Sequence, residues 1–513
     1  MRRHKLVHPL RAVEAIPTST IVTLRCLRNC WGIRFVRVQN SQGLGSGGPS
    51  NDKPHYDIVV IGTGPAGRRA AIQAAKGGKR VAAIDRQRYV GGQAVHRGTI
   101  PSKTLREAVI HVTGIGQRSF YGESYRVMAD VTMHDLLLRT AQVVQAEVDV
   151  VRDGFLRNDV ELLNGVAHFV DPHMLAIHTE NSIIEVRADK VILATGSNPS
   201  RPAHIPFDQE RVVDSDGILD LPRIPKSLTV VGGGIIGTEY ASIFATLGVA
   251  VTLIDGRKEL LDIVDEEIGE ALKFRMREDG ITMRLGHRVE NVEFDPRGRP
   301  VTVLETGART VSDVVMYSIG RRGATGLLNL DAAGLAADDR GRVKVNKFFQ
   351  TEQEHIYAVG DVIGQPALAS TSAEQGRLAA RHALGLDCPS IDDELPIGIY
   401  TIPEIALVGK TEEQLTLEGA AYESGVARYK EIARGAIIGD DFGILKLLFD
   451  PGTRKVLGVH IFGNQASELL HIGQAVMQLE GTIDYFVETI FNYPTFAEAY
   501  KVAGLNGVNK LVR

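Results

Sequence analysis

The run Tyr56-Asp57-Ile58-Val59-Val60-Ile61 is apolar without a break from residue 58, the pattern of a strand buried on both faces of a parallel sheet. It leads into Gly62-Thr63-Gly64-Pro65-Ala66-Gly67 and an alanine-rich helix through Ala75. A second strand, Arg80 to Ile84, closes on Asp85. Strand, glycine turn, helix and strand together predict a βαβ unit that binds a dinucleotide. The same order returns as Leu228-Thr229-Val230-Val231, the loop Gly232-Gly233-Gly234-Ile235-Ile236-Gly237, a helix from Thr238 to Leu247 and a strand from Val249 to Ile254 closing on Asp255. Two such units predict two dinucleotides, with the second unit inserted within the fold of the first.

Two further runs bracket the insertion. Lys190 to Gly196 reads as a strand ending in a small-residue turn, and Thr351 to Asp361 as a strand ending in Gly-Asp. From about Asp392 the pattern changes. Ile444 to Phe449, the turn Asp450-Pro451-Gly452-Thr453 and Val456 to Ile461 predict a β-hairpin, followed by a helix from about Ala466 to Leu479. An α/β fold follows, with boundaries expected at 54–200 and 323–391 for the first nucleotide domain, 201–322 for the second, and 392–513 for an α+β C-terminal domain.

The glycines have separate duties. Gly62 and Gly232 make the tight turns, Gly64 and Gly234 let backbone approach a pyrophosphate, and Gly67 and Gly237 let helix and strand pack closely. The helix N-termini then face the phosphates. Asp85 and Asp255 are placed to accept ribose hydroxyls, and Asp361 to reach a sugar-like chain such as ribityl. A bare carboxylate at 255 favours NAD and repels a 2'-phosphate. Arg257 either swings towards that phosphate or is an ordinary surface residue.

Composition narrows the class. A chain of 513 residues divides into about three or four domains. Its 54 glycines exceed the usual share of about 7% and fit many tight turns. The net charge of -4 gives no reason to expect nucleic acid, and no run of 18 apolar residues suggests a membrane span. Only Cys26, Cys30 and Cys388 are present, which fits a reducing compartment and not a disulfide framework. Residues 1–53 carry nine Lys/Arg against Glu14 and Asp52 and end in a Gly/Ser-rich linker. A disordered tail or an upstream start-site artefact, an organelle transit peptide, and a Cys26-x3-Cys30 metal or redox site are the readings open for them. The expected location is cytoplasmic, or an organelle matrix if 1–53 is a transit peptide.

The two glycine units, Ala194-Thr195-Gly196, Ala358-Val359-Gly360-Asp361 and Pro101-Ser102-Lys103 resemble the two-dinucleotide flavoproteins that include lipoamide dehydrogenase and glutathione reductase. Gly98 to Lys103, Asp214-Ser215-Asp216, Glu239 to Ser242, Gly398 to Glu404 and Phe491 to Tyr500 resemble the soluble pyridine nucleotide transhydrogenases in particular. The resemblance implies one FAD per subunit in the first site, NAD(H) and NADP(H) as substrates in the second, and a homodimer built on the C-terminal domain. It implies cofactor contacts from Gly62, Gly64, Pro65, Ala66, Gly67, Asp85, Arg86, Gln87, Arg88, Tyr89, Val90, Gly91, Gly92, Gln93, Ala94, Lys103 and Gly196. The remaining implied contacts are Gly232, Gly234, Gly237, Asp255, Gly320, Gly360 and Asp361. Lys103 is implied near the flavin N5, where a cation favours the reduced state, with Glu239 as its ion-pair partner beside the nicotinamide.

The frame of a disulfide reductase, Gly-Gly-x-Cys-x4-Cys-x-Pro-Ser-Lys, is filled here by Gly91 to Lys103 with Ala94 and Thr99 at the cysteine positions. The transhydrogenases usually keep the first cysteine, so Ala94 departs from them as well. The reductases' His-Pro pair is Tyr493-Pro494 here, and a phenol of pKa near ~10 is a poor partner for a thiolate. Both halves of dithiol chemistry are absent. Hydride transfer from NADPH to NAD+ in ping-pong order is the implied activity. An NAD(P)H:quinone or dye oxidoreductase and a silent nucleotide-binding subunit are the alternatives. His96, Arg97 and His471 are each open to a structural or a functional reading.

Overall fold

A computed structural model describes residues 53–511, apart from 123, 124, 126, 129, 392 and 393; Cys26, Cys30 and the basic segment lie outside the described residues. Strand β1 (His55–Ile61) lies inside a seven-stranded sheet. It pairs in parallel with β2 (Val81–Asp85) on one side and with the long strand Ile183–Leu193 on the other. Its unbroken apolar run has a direct cause. Ile58 and Val60 enter one core cluster with the alanines of α1 (Pro65–Lys76), while Val59 and Ile61 enter another on the opposite face. A strand covered on both faces has no polar side to show.

The strand Ile183–Leu193 joins the antiparallel part of this sheet to its parallel part. Its first half pairs antiparallel with Met174–His178, and its last residues pair in parallel with Ile356–Ala358. The predicted strand from Thr351 is therefore shorter than expected. Thr351 N donates to Ile356 O at 2.9 Å, so residues 351–355 form a turn instead of extended chain.

The inserted unit forms a second, wholly parallel sheet. Ser227–Val231 lies between Ala250–Asp255 and Val314–Tyr317, with Thr282–Leu285 and Val212–Asp214 at the edges. Its helix runs Ile235–Thr246, three residues ahead of the expected start, because it begins directly after Gly234 just as α1 begins after Gly64. Ser197–Pro199 pairs antiparallel with Arg321–Gly323, stitching the segment that enters the insertion to the one that leaves it. The C-terminal residues build a five-stranded antiparallel sheet that includes the predicted hairpin, Ile444–Phe449 with Val456–Gly463, and the helix Ala466–Gln478. The chain is an α/β protein with a mixed seven-stranded sheet, a wholly parallel five-stranded sheet and a C-terminal α+β unit.

One buried ion cluster locks this last sheet to the inserted unit. Lys446 Nζ lies 2.8 Å from Asp265 Oδ1, 3.0 Å from Glu412 Oε2 and 3.4 Å from Glu267 Oε2. Burial alone would push the ammonium's pKa down, but hydrogen bonds to Asp265 and Glu412 hold it above the usual lysine value. Lys446→Met leaves Asp265, which is 0% exposed, as an uncompensated charge. The expected loss is about 3–5 kcal/mol in urea unfolding. A loss below about 1 kcal/mol would show that the cluster is not holding the two units together.

Candidate active site

Both glycine loops open into one cavity of about 1700 Å³. The two loops share their geometry. Gly62 has φ +108° and Gly232 φ +107°. A Cβ on Gly62 would lie 2.2 Å from Ala194 O, and one on Gly232 2.6 Å from Ser318 O. Gly67 backs onto Gly62 and Gly237 onto Gly232, with carbonyl oxygens 1.9 and 1.8 Å from where a Cβ would stand. The third glycine of each loop thus sits inside the first helical turn, where helix and strand touch. Gly64 and Gly234 cap the two helices without any side-chain cap, and neither helix has an acid in its first turn. Free N–H groups and the helix dipole are left to meet an anion.

The strand-ending acids first organise the loops. Asp85 Oδ2 accepts from Thr63 N at 3.0 Å and from the Thr63 hydroxyl at 2.5 Å, and its Oδ1 accepts from Gln87 N at 2.9 Å. Asp255 Oδ2 accepts from Gly233 N at 2.5 Å. Burial pushes the Asp255 carboxyl up, but hydrogen bonds from Arg257 and the Gly233 backbone more than offset this and hold it below the usual range.

Between the loops stand α2 (Gly92–His96) and α3 (Thr99–Thr113). Ala94 and Thr99 both line the cavity, so a methyl and a hydroxyl occupy the two positions of the reductase frame. Lys103 follows Thr99 by four residues and shares its helix face. Its Nζ lies 2.6 Å from Glu239 Oε2 and 4.8 Å from the centre of the Tyr400 ring. Glu239, in the helix Ile235–Thr246, is 3% exposed and also accepts from Tyr400 N at 2.8 Å. It is no surface acid. Helix α3 is itself pinned to the C-terminal sheet by buried Arg106, which donates to Thr401 O at 2.9 Å and reaches Glu404 at 3.2 Å. Lys103 is therefore positioned by three parts of the chain at once.

Asp361 lines the cavity and accepts from the Ser197 hydroxyl at 2.7 Å; Arg321 Nε donates to the same hydroxyl at 2.8 Å. Asp216, another lining residue, has its carboxyl pushed up by burial, with Arg321 3.8 Å away pulling it down. Gln93 Oε1, Thr195 Oγ1 and Tyr240 OH belong to cavity-lining residues, are buried and have no hydrogen-bond partner among the described residues. Buried polar atoms are rarely left so, and a bound polar ligand would satisfy them.

Most residues expected at the cofactor reach the cavity: Gly62, Gly64, Pro65, Ala66, Asp85, Arg86, Gln87, Gly92, Gln93, Ala94, Lys103, Gly196, Gly232, Gly234, Asp255, Gly320, Gly360 and Asp361. Arg88, Tyr89, Val90 and Gly91 do not line it. The chain turns outward after Gln87, leaving Tyr89 50% exposed, and Val90 packs against the alanine core. Gly91, whose N–H donates to Thr63 Oγ1 at 3.0 Å, acts behind the wall, as do Gly67 and Gly237. His96 bonds Val90 O and does not line the cavity; Arg97 does, paired with Asp220 at 2.6 Å. His471 stands on the lining near Leu470 and Ser467, and Tyr493 is 66% exposed away from it. Sequence reasoning missed Thr63, Ser197, Arg321 and Tyr400. Thr63 lies inside the first glycine loop, and Arg321 directly follows Gly320, but nothing local marks Ser197.

Residues 56–376 match the family described as pyridine nucleotide-disulphide oxidoreductase, and residues 395–503 match its dimerisation domain. A protein named soluble pyridine nucleotide transhydrogenase from Mycobacterium bovis is 53% identical over 458 residues, 89% of this chain and 98% of its own length. One of the same name from Colwellia psychrerythraea is 45% identical over 462 residues, 89% of this chain and 98% of its own. Among solved structures, the HOCl-induced flavoprotein disulfide reductase RclA from Escherichia coli superposes as its Cu(II) complex with a TM-score of 0.80 at 28% identity, covering 88% of this chain and 99% of its own. LpdA from Mycobacterium tuberculosis gives 0.81 at 26% identity, with the same coverage.

Proposed function

Because the chain belongs to the pyridine nucleotide-disulphide oxidoreductase family, and is an oxidoreductase, we propose that it moves hydride between NADPH and NAD+ without a redox disulfide. The observation that carries the reading is that Ala94 and Thr99 line the cavity into which both glycine loops open. Residues that would carry a dithiol in a reductase face the reaction space and hold no sulfur.

FAD fits the first site. The uncapped N-terminus of α1, the open ground over Gly64 and the unpartnered Gln93 and Thr195 oxygens suit a phosphate-bearing, polar ring system. Gly62, Gly64, Asp85, Gln87 and Asp361 would hold it. When bound, it supplies a two-electron carrier able to take a hydride from one nicotinamide and return it to another. The second glycine loop offers one nucleotide site, so NADPH and NAD+ use it in turn, which is ping-pong order. Glu239 orients Lys103, and Lys103 keeps a positive charge on the wall that both loops share. The dimerisation-domain match supports a homodimer, and among the described residues no helix is long and apolar enough to cross a membrane.

An anaerobic mixture of the purified protein with NADPH and thio-NAD+ tests this. Reduction of the thionicotinamide, with parallel-line kinetics when both substrates are varied, is the expected result. Absence of transfer beside brisk reduction of a quinone would replace the reading with a quinone oxidoreductase.

A further inference from the structure

An enzyme that takes NADPH and NAD+ in turn must accept a phosphate dianion at the adenosine 2' position in one half-reaction and a hydroxyl in the other. The carboxylate at that end is already occupied. Asp255 Oδ1 accepts from Arg257 N at 2.7 Å and Arg257 Nε at 3.1 Å. Its Oδ2 accepts from Gly233 N at 2.5 Å and Arg257 Nη2 at 3.0 Å. Four donors fill the roughly four acceptor positions of an ionised carboxyl. Arg257 thereby removes the repulsion that Asp255 would exert. Arg257 is matched in turn, because its Nη1 lies 3.0 Å from Asp262 Oδ1. Two acids on one guanidinium leave no cation over for a phosphate.

A second guanidinium stands beside this group. Arg288 lines the cavity with Gly256 and Arg257, is exposed to solvent, and forms no ion pair among the described residues. The turn that carries it is tied to the Asp255 segment by two backbone hydrogen bonds. Gly286 N donates to Arg257 O at 2.7 Å, and His287 N donates to Asp255 O at 3.1 Å. The stem of Arg288 lies across Gly256, where a Cβ would stand 3.0 Å from its Cγ. Glycine at 256 therefore leaves the room that lets Arg288 lie against the residue following Asp255. Next to it, His287 Nδ1 is buried without a hydrogen-bond partner among the described residues.

Resting on the transhydrogenase reading, we propose that Arg288 receives the adenosine 2'-phosphate of NADP(H), while Arg257 neutralises Asp255, so that a single site serves both coenzymes. A guanidinium matches a phosphate through two parallel N–H donors, which an ammonium cannot do. With NAD(H) bound, Arg288 stays hydrated at the rim, so its guanidinium is not left as a buried unpaired charge. Discrimination is one-sided, which is what a shared site needs.

The test is calorimetric titration of the holoenzyme with adenosine 2',5'-bisphosphate and with ADP, which lacks the 2'-phosphate. Arg288→Gln is expected to weaken the bisphosphate about ten- to a hundredfold relative to ADP, the scale of one charge-assisted contact. Arg288→Lys should recover part of the loss, and the NADPH-to-NADH ratio of kcat/KM should fall with the same factor in the Gln variant. An unchanged ratio of the two affinities, or an equal loss for both ligands, overturns the assignment. These binding readouts do not pass through hydride transfer. A wild-type protein that binds the bisphosphate through Arg288 yet moves no hydride to NAD+ would sink the transhydrogenase reading alone.

Discussion

Lys103→Met is expected to lower turnover by about 10²–10³-fold, the usual effect of removing one preorganised charge or donor from a closed site. The substitution keeps an unbranched side chain, one atom shorter, at its place on α3 but removes the cation facing the cavity. It also acts on a neighbour. Glu239 is buried and would keep only the Tyr400 N–H at 2.8 Å as a partner. A carboxylate stranded this way destabilises the fold, so the single variant should also melt earlier than the parent. Adding Glu239→Gln should restore the lost stability and not the turnover, because the amide needs no counter-ion but supplies no positive charge to the wall. A double-mutant cycle in both melting temperature and kcat separates these two effects. Wild-type turnover in Lys103→Met would end the idea that this ammonium serves the chemistry.

The other large effect distinguishes the two glycine loops. Gly67→Ala and Gly237→Ala each drive a methyl onto a carbonyl oxygen, at 1.9 and 1.8 Å, that cannot move without parting the helix from its strand. Overpacking of this kind costs about 1–3 kcal/mol or more and distorts the loop that faces the ligand. The outcomes should differ in colour. Gly67→Ala is expected to purify without flavin absorbance or to fail to fold. Gly237→Ala should stay yellow and lose the bleaching that NADPH produces anaerobically, by at least about 10²-fold in kcat/KM if the loop carries the nucleotide phosphates. A colourless Gly237→Ala beside a yellow Gly67→Ala would exchange the two sites.

Much of the fold was legible because its causes are local. The run from Ile58 to Ile61 is apolar since successive side chains enter two different cores, and the glycines at 62 and 232 announce backbone that a side chain would not tolerate. The hairpin in the C-terminal unit is written in its turn residues. Legibility failed where a short segment leaves its element. Arg88 and Tyr89 belong to the stretch after Asp85 by sequence, yet the chain carries them out to solvent, and Thr351 to His355 turn where extended chain was expected.

By itself, then, the sequence determined two dinucleotide-type units, the absence of cysteine at positions 94 and 99, and the residue types available to bind an anion. It could pair Lys103 with Glu239 only through a family resemblance, for the two lie 136 residues apart. The tertiary structure decided that this pair is buried, that Tyr400 completes it, and that Arg288 comes to rest across Gly256 beside an Asp255 already filled by Arg257. The physical reason is the range of the forces involved. Backbone conformation and hydrophobic period are set within a few residues, whereas which charge meets which is set by how separate sheets and helices pack.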